Sequence, residues 1–324
     1  MKAILCEAFG GPETLALREV PDPPPPGPGE IQLRLAARGA QYVDVLMAAG
    51  TYQFRPDPPF IPGSEAEGEV IAVGPGVTRF CPGDRVMSRH RLGAFAERAN
   101  AAESACDLVP TGMSLEEAGV FRAAHATAYH ALLQRGRLAA GEWVLVHGAA
   151  GGIGIAAIQI AKLFGAHVIA TASTEAKRAA CLEEGADYAI PYAGGFLDEV
   201  KRLTGGRGVD IVYDPIGAAV TEESLRALAW GGRILILGFL GGGPATIRSN
   251  YLLIKGIDAI GVRIGGLQDA NPALAAANTR ALLDLAAEGK LRPRISHRFP
   301  LAEAAAALRA IAAREVIGKA VLVG

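Results

Sequence analysis

The sequence predicts an α/β protein: a doubly wound parallel sheet with a second, mainly β domain. Three observations predict it. From Trp143 onward, apolar strand-like runs alternate with helical stretches. Residues 144–157 read VLVHGAAGGIGIAA, an apolar strand, a glycine-rich turn and the start of an apolar helix. Before Phe121, short strand-like runs are punctuated by proline and glycine, the pattern of a β-rich domain.

The chain has 324 residues, a length that suits about two domains. Half of it is hydrophobic, with 41 glycines and 20 prolines, so it is globular and turn-rich rather than disordered. Lys and Arg number 32 against 33 Asp and Glu, and this near-neutral balance leaves no electrostatic footprint for nucleic acid or an anionic membrane. Met1 to Phe9 lacks the basic start and apolar run of a signal peptide, so a cytoplasmic location is expected. Cys6, Cys81, Cys106 and Cys181 stand apart, with no C-x-x-C pair. Neither a disulfide framework nor a structural zinc site of paired cysteines is expected.

In chain order, Ile31–Leu35 and Glu69–Val73 read as strands, set off by the rigid Pro23–Pro28 stretch and the Pro56–Pro62 loop. Leu115 to Leu133 reads as a helix leading into the next region. Five further strands follow at Val144–Val146, His167–Ala172, Val209–Tyr213, Arg233–Leu237 and Ile257–Val262. Helices are expected between them at Ile153–Phe164, Glu175–Glu184, Leu197–Thr204 and Glu222–Ala229. After Arg263 two alanine-rich helices, Pro272–Glu288 and Leu301–Ala313, precede a last strand at Lys319–Val323. The expected division is residues 124–263 for the parallel-sheet domain, and 1–123 with 264–324 for the β-rich one.

The turn after the first parallel strand is built for a dinucleotide. Gly151, Gly152 and Gly154 allow a tight turn and close approach, and the backbone N–H groups from Ala150 through Ile153 face a pyrophosphate at the helix start. Counted back from Gly154, the fingerprint is Ala-x-Gly-x-x-Gly. A membrane span over Trp143–Ala161 is the competing reading, since no charged side chain interrupts it. Its glycines, His147 and Gln159 argue against that.

The second strand should end in a carboxylate for the adenosine ribose 2′-hydroxyl of NAD. It ends instead Ala172-Ser173-Thr174, with Lys177 and Arg178 close behind. A hydroxyl and cations suit a 2′-phosphate, so Ser173 and Lys177 point to NADPH. Glu175 suits the N-terminus of the following helix. Gly238 and Phe239 follow a parallel strand, where such sheets receive ligands.

Several segments together resemble the zinc-independent quinone oxidoreductase (zeta-crystallin-like) branch of the medium-chain dehydrogenase/reductase superfamily, over nearly the whole chain. They are Asp44-Val45-Leu46-Met47 before Gly50-Thr51-Tyr52-Gln53, Pro59 to Glu65, Gly83-Asp84-Arg85-Val86, Thr127-Ala128-Tyr129, the glycine turn, and the closing Gly318-Lys319. The resemblance implies a GroES-like catalytic domain beside the Rossmann domain, NADPH as cofactor and a homodimer, with the edge strand near Ile257–Val262 as the contact. It places Tyr52, Gln41 and Thr127 at the nicotinamide end of the cleft, with Asp44 ordering the first-domain loop. It adds Tyr192, near the adenosine phosphate, and Lys319 to the cofactor-binding residues.

Metal-binding relatives would carry a cysteine near position 41 and a His-Glu pair after Gly63. Gln41 and Ser64-Glu65 stand there instead, so no metal is expected. The zinc-free branch typically has asparagine where this chain has Gln41. His125 also departs from the family pattern and reads as a structural group first. Arg85, Arg89, His90 and Arg91 invite an anionic substrate, with surface solvation the plainer reading. The implied activity is reduction of quinones by NADPH. An enoyl or alkenal double-bond reductase is the alternative, and a non-catalytic NADPH-binding protein a third reading.

Overall fold

The computed structural model describes all residues from Met1 to Gly324. They fall into two units, Met1–Ala123 with Arg292–Gly324, and Ala124–Leu291. The first unit opens with an antiparallel pair, β1 (Lys2–Cys6) and β2 (Leu15–Glu19), in the register Ile4 to Leu17. The long β3 (Glu30–Ala40) alternates buried and less buried positions at its start. Ile31, Leu33 and Leu35 face a core shared with Val70, Phe80 and Val86. A short helix, α1 (Tyr42–Ala48), follows directly, and then β4 (Glu65–Val73), β5 (Arg85–Arg89), β6 (Arg98–Ala102) and β7 (Cys106–Leu108). Helix α2 (Leu115–Tyr129) starts where Ser114 and Glu117 exchange backbone and side-chain hydrogen bonds at 2.8 and 3.2 Å, a capping box. Its continuation, His130–Arg135, widens into a π turn.

The second unit carries six parallel strands: β8 (Trp143–Val146), β9 (His167–Thr171), β10 (Tyr188–Ile190), β11 (Val209–Asp214), β12 (Leu228–Ile236) and β13 (Asp258–Gly261). Their order is β10-β9-β8-β11-β12-β13. This is the doubly wound arrangement whose order reverses between β8 and β11, where such sheets bind ligands beyond the strand ends. Val144 to Val146 and Ile211 to Asp214 are fully buried, as strands covered on both faces must be. The intervening helices are α3 (Gly152–Leu163), α4 (Glu175–Glu183), α5 (Leu197–Leu203), α6 (Ala218–Ala227) and α7 (Ser249–Lys255). Two more, α8 (Leu267–Ala270) and α9 (Pro272–Ala287), complete the unit.

The chain returns to the first unit at Arg292, not at residue 264 as the sequence suggested. An amide pair fixes α9 to the second unit: Gln134, half-buried, and Asn278, buried, exchange hydrogen bonds of 2.7 and 3.0 Å. Strand β14 (Ile295–Pro300), helix α10 (Ala304–Ala312) and β15 (Lys319–Val323) then complete the first unit. The large sheet runs β14-β15-β3-β4-β5-β7, with β6 also paired to β3. Ala304, Ala307 and Leu308 of α10 pack with Met47 and Ala48 of α1 in one core. No helix is long and apolar enough to cross a membrane. Trp143–Ala161 is strand, turn and helix.

Candidate functional site

In the second unit the glycine turn leaves β8 at His147, whose N–H donates to the Tyr213 carbonyl at 3.0 Å. Gly148 adopts φ +57°, and Gly151 N–H closes the turn on the Gly148 carbonyl at 2.9 Å. Gly151 is then the N-cap of α3, with no side chain to occupy the helix's first N–H groups and no acid in the first turn. Ala150 is buried, whereas Gly151, Gly152 and Ile153 remain partly accessible. A Cβ on Gly154 would lie 2.6 Å from Ala149 Cα and from the Ala149 and Gly148 carbonyl oxygens. Only glycine lets the helix approach the strand this closely. The arrangement fits an anionic group at the helix start.

Beyond β9, Ser173 and Thr174 are exposed. Thr174 Oγ1 caps α4 by accepting from Lys177 N at 3.3 Å, which places Lys177 and Arg178 in the first turn. Arg178 Nη1 also reaches the Ala172 carbonyl at 3.4 Å. Gly238 and Phe239 follow β12, and Phe239 is half exposed. Thr127 is half-buried on α2. His125 is buried there, its Nε2 paired with Gln159 Oε1 at 3.2 Å, in keeping with a structural role.

Tyr192, expected near the adenosine phosphate, lies against the glycine turn. Its hydroxyl accepts from Gly148 N inside the glycine turn, and its ring lies over His147 with centroids 5.9 Å apart. Desolvation pushes its phenol pKa up.

In the first unit, Gln41 is the N-cap of α1. Its backbone N–H donates to Asp44 Oδ2 at 2.9 Å, and its Nε2 donates to Ser64 Oγ at 3.1 Å. Asp44 is fully buried, and its Oδ1 has no hydrogen-bond partner. Burial pushes its carboxyl up to about 7, against the pull of the Gln41 and Gly63 N–H groups and the Lys319 charge. Tyr52 is half-buried and packs against the α1–α10 core.

Lys319, expected among the cofactor-binding residues, is buried, and its Nζ lies 2.8 Å from Glu65 Oε1. The other Glu65 oxygen accepts from Ala123 N at 2.9 Å. The structure therefore shows Lys319 in an internal ion pair. The basic cluster is dispersed in the same way: Arg85 is bidentate to Glu67 with both contacts at 2.6 Å, His90 meets Ser88, and Arg91 lies 3.8 Å over the Phe54 ring. No group of three or more His, Cys, Asp or Glu is disposed to hold a metal ion.

Sequence reasoning missed the Glu65–Lys319 pair and the polar partners of His147. The one signal for the latter was a histidine ending a strand that is otherwise wholly apolar.

Residues 27–136 match the family model of the alcohol dehydrogenase GroES-like domain, and residues 152–279 that of the zinc-binding dehydrogenase. The chain is 35% identical to the mouse (Mus musculus) quinone oxidoreductase-like protein 2 over 99% of its own length and 91% of that protein's. The chain belongs to the quinone oxidoreductase branch of the medium-chain dehydrogenase/reductase superfamily. Within that family it is similar, at 29% identity and a TM-score of 0.93, to the Escherichia coli quinone oxidoreductase complexed with NADPH, covering 100% of both chains. A probable oxidoreductase from Mycobacterium abscessus is 39% identical with a TM-score of 0.92, over 100% of this chain and 99% of that one. Membership makes this protein an oxidoreductase with a Rossmann-type unit and a GroES-like unit.

Proposed function

We propose that the protein reduces quinones with NADPH and without zinc. The observation that carries the cofactor choice is the end of β9. No carboxylate stands at Ala172–Thr174, and Thr174 caps a helix whose first turn bears Lys177 and Arg178 as well as Glu175, which suits the helix N-terminus. A carboxylate would repel a 2′-phosphate, whereas Ser173 and Lys177 offer a hydroxyl and an ammonium. Zinc independence is supported by the groups at the positions where metal-binding relatives carry ligands. The Gln41 amide is held by Ser64, and both Glu65 oxygens are engaged by Lys319 and Ala123.

NADPH supplies the hydride when bound; the protein's part is to bind, orient and stabilise charge. The uncapped N–H groups at the start of α3 would receive the pyrophosphate. Gly238 and Phe239 lie at the strand end where the nicotinamide half is expected. Tyr52, Gln41 and Thr127 are assigned to the nicotinamide and acceptor. The Tyr52 hydroxyl is the donor for the oxyanion that develops on a quinone carbonyl. Asp44 acts through α1, holding Gln41 by its backbone. A quinone needs no strong Lewis acid, because its product is a stabilised hydroquinone anion.

NADPH consumption with a naphthoquinone or phenanthrenequinone, a 2-alkenal and crotonyl-coenzyme A tests the reading. Turnover of quinones alone is expected. Turnover of the alkenal or thioester instead would make the protein a double-bond reductase, and binding without oxidation would leave a non-catalytic NADPH-binding protein. For the cofactor, Lys177→Ala should weaken NADPH about tenfold and NADH little, since a hydrogen bond to a charged group contributes roughly 1.5–3 kcal/mol.

The proposed assembly is a homodimer through β13. That strand ends the six-stranded sheet, and Trp230, Leu253 and Ile254 are exposed by 81%, 84% and 71%. An open edge beside large apolar side chains favours pairing with a second copy.

A further inference from the structure

Tyr52 belongs to a segment with no hydrogen bonds of its own. From Tyr52 to Pro59 neither backbone nor side chain makes one, and Pro56, Pro58 and Pro59 have no N–H to offer. Backbone bonding stops at Thr51, whose N–H donates to the Leu46 carbonyl at 2.9 Å, and resumes at Phe60, paired with Cys6. Side chains alone hold the stretch between. Exposure alternates along it: Tyr52, Phe54, Pro56 and Pro58 are half-buried, whereas Gln53, Arg55, Asp57 and Pro59 are exposed. Tyr52 and Phe54 thus share the inward side, and both pack against the α1–α10 core. The Arg91 guanidinium lies 3.8 Å over the Phe54 ring, and that of Arg55 lies 4.4 Å over Phe9. Neither guanidinium makes a hydrogen bond or an ion pair, so each spends its charge on a ring. Arg91 itself is firmly anchored. Its loop is tied to residues 61–64 by His90 N–H on the Ser64 carbonyl at 2.8 Å, Gly93 on Ile61 at 2.8 Å and Ala94 on Gly63 at 3.2 Å. Ser64 is also the residue that holds the Gln41 amide.

We infer that Arg91 is a positioning residue for the acceptor end: its guanidinium latches Phe54 and thereby holds Tyr52, on the same side of the segment, against the first unit. A stretch without backbone bonds opens locally at little cost, so its side-chain contacts set how often it is closed. At an exposed site a cation over a ring shifts such an equilibrium about two- to fivefold. A donor that must meet a developing oxyanion loses rate in proportion to the time it spends out of place. Arg55 on Phe9 is a second latch on the same segment, and Arg91 alone joins it to the loop that carries Ser64. The inference rests on the reading of Tyr52 as the donor to the acceptor.

Two variants of the full-length protein test it: Arg91→Met keeps the apolar stem and removes the charge, and Arg91→Lys keeps a cation. Chymotrypsin cleavage of the native protein after Tyr52 or Phe54, located by mass spectrometry, reads the opening of the segment without any need of activity. Cleavage should be about two- to fivefold faster in Arg91→Met than in wild type, with Arg91→Lys between them. With a naphthoquinone as acceptor, kcat should fall about two- to fivefold in Arg91→Met and partly recover in Arg91→Lys, while KM for NADPH stays within about twofold of wild type. Equal cleavage of wild type and Arg91→Met, a loss that falls on the KM for NADPH instead of kcat, or a lysine variant no better than the methionine one would each overturn the inference. Wild-type protein that reduces no quinone would instead overturn the quinone reading and the catalytic part of this inference with it. The cleavage comparison would still decide whether Arg91 holds the segment.

Discussion

Asp44 is the residue whose chemistry departs furthest from its ordinary range. Its carboxyl, pushed up to about 7 by burial, protonates more readily in the folded chain than in the unfolded one. The folded state therefore binds the extra proton between about pH 4 and about pH 7, and stability from this group is lost as pH rises through that window. Asp44→Asn removes the dependence. Urea unfolding of both proteins should show the difference in stability moving in the variant's favour by on the order of 2–4 kcal/mol between about pH 4 and about pH 8. A constant difference would remove Asp44 as the source. Gly154 makes a second case at this scale. Alanine is favoured in a helix by about 1 kcal/mol, yet its Cβ would meet three backbone atoms at 2.6 Å. Backbone cannot swing aside, so the steric cost of roughly 1–3 kcal/mol or more prevails. Gly154→Ala should lower the melting temperature and abolish dinucleotide binding. A variant that melts and binds normally would contradict the close approach.

At the scale of elements, β15 and β4 are linked through Lys319 and Glu65, both buried. A buried pair adds little over an apolar replacement, but removing one partner leaves the other charge stranded. Lys319→Met should cost about 3–5 kcal/mol in denaturant unfolding. Adding Glu65→Gln should recover most of it, since an amide oxygen still accepts from Ala123. Failure of the double variant to recover would show that the cost lies in packing.

The elements also show why parts of the sequence were legible. The strand–turn–helix at 143–163 was plain, because an apolar run, a glycine cluster and an apolar helix face each carry a local signal. Strand β14, ISHRFP, was missed because half its residues are polar and its partners are distant in sequence. Helix α7 was missed because it is short and exposes Leu253 and Ile254 rather than an apolar stripe turned inward. The boundary at Arg292 was misplaced because the Gln134–Asn278 pair spans a separation that no local pattern reports.

For the whole molecule, the proposed dimer has a direct test. Leu253→Arg places a charge in the exposed apolar group beside β13, where a second copy would have to desolvate it. Light scattering should show wild type at twice the chain mass and the variant at the monomer mass. A monomeric wild type would remove the proposal.

The sequence by itself determined the class of fold, the dinucleotide turn and the family, because glycine conformations, apolar periodicity and residue spacing are local properties. It also settled what ends β9, since the missing carboxylate is a matter of residue identity. Only the tertiary structure decided where the polar side chains spend their hydrogen bonds. It paired Lys319 with Glu65, left one oxygen of Asp44 buried without a partner, and aimed the Tyr192 hydroxyl at the Gly148 backbone. Those outcomes depend on contacts between residues far apart in the chain. A side chain's chemistry is legible in sequence, but its partner and its dielectric surroundings are not.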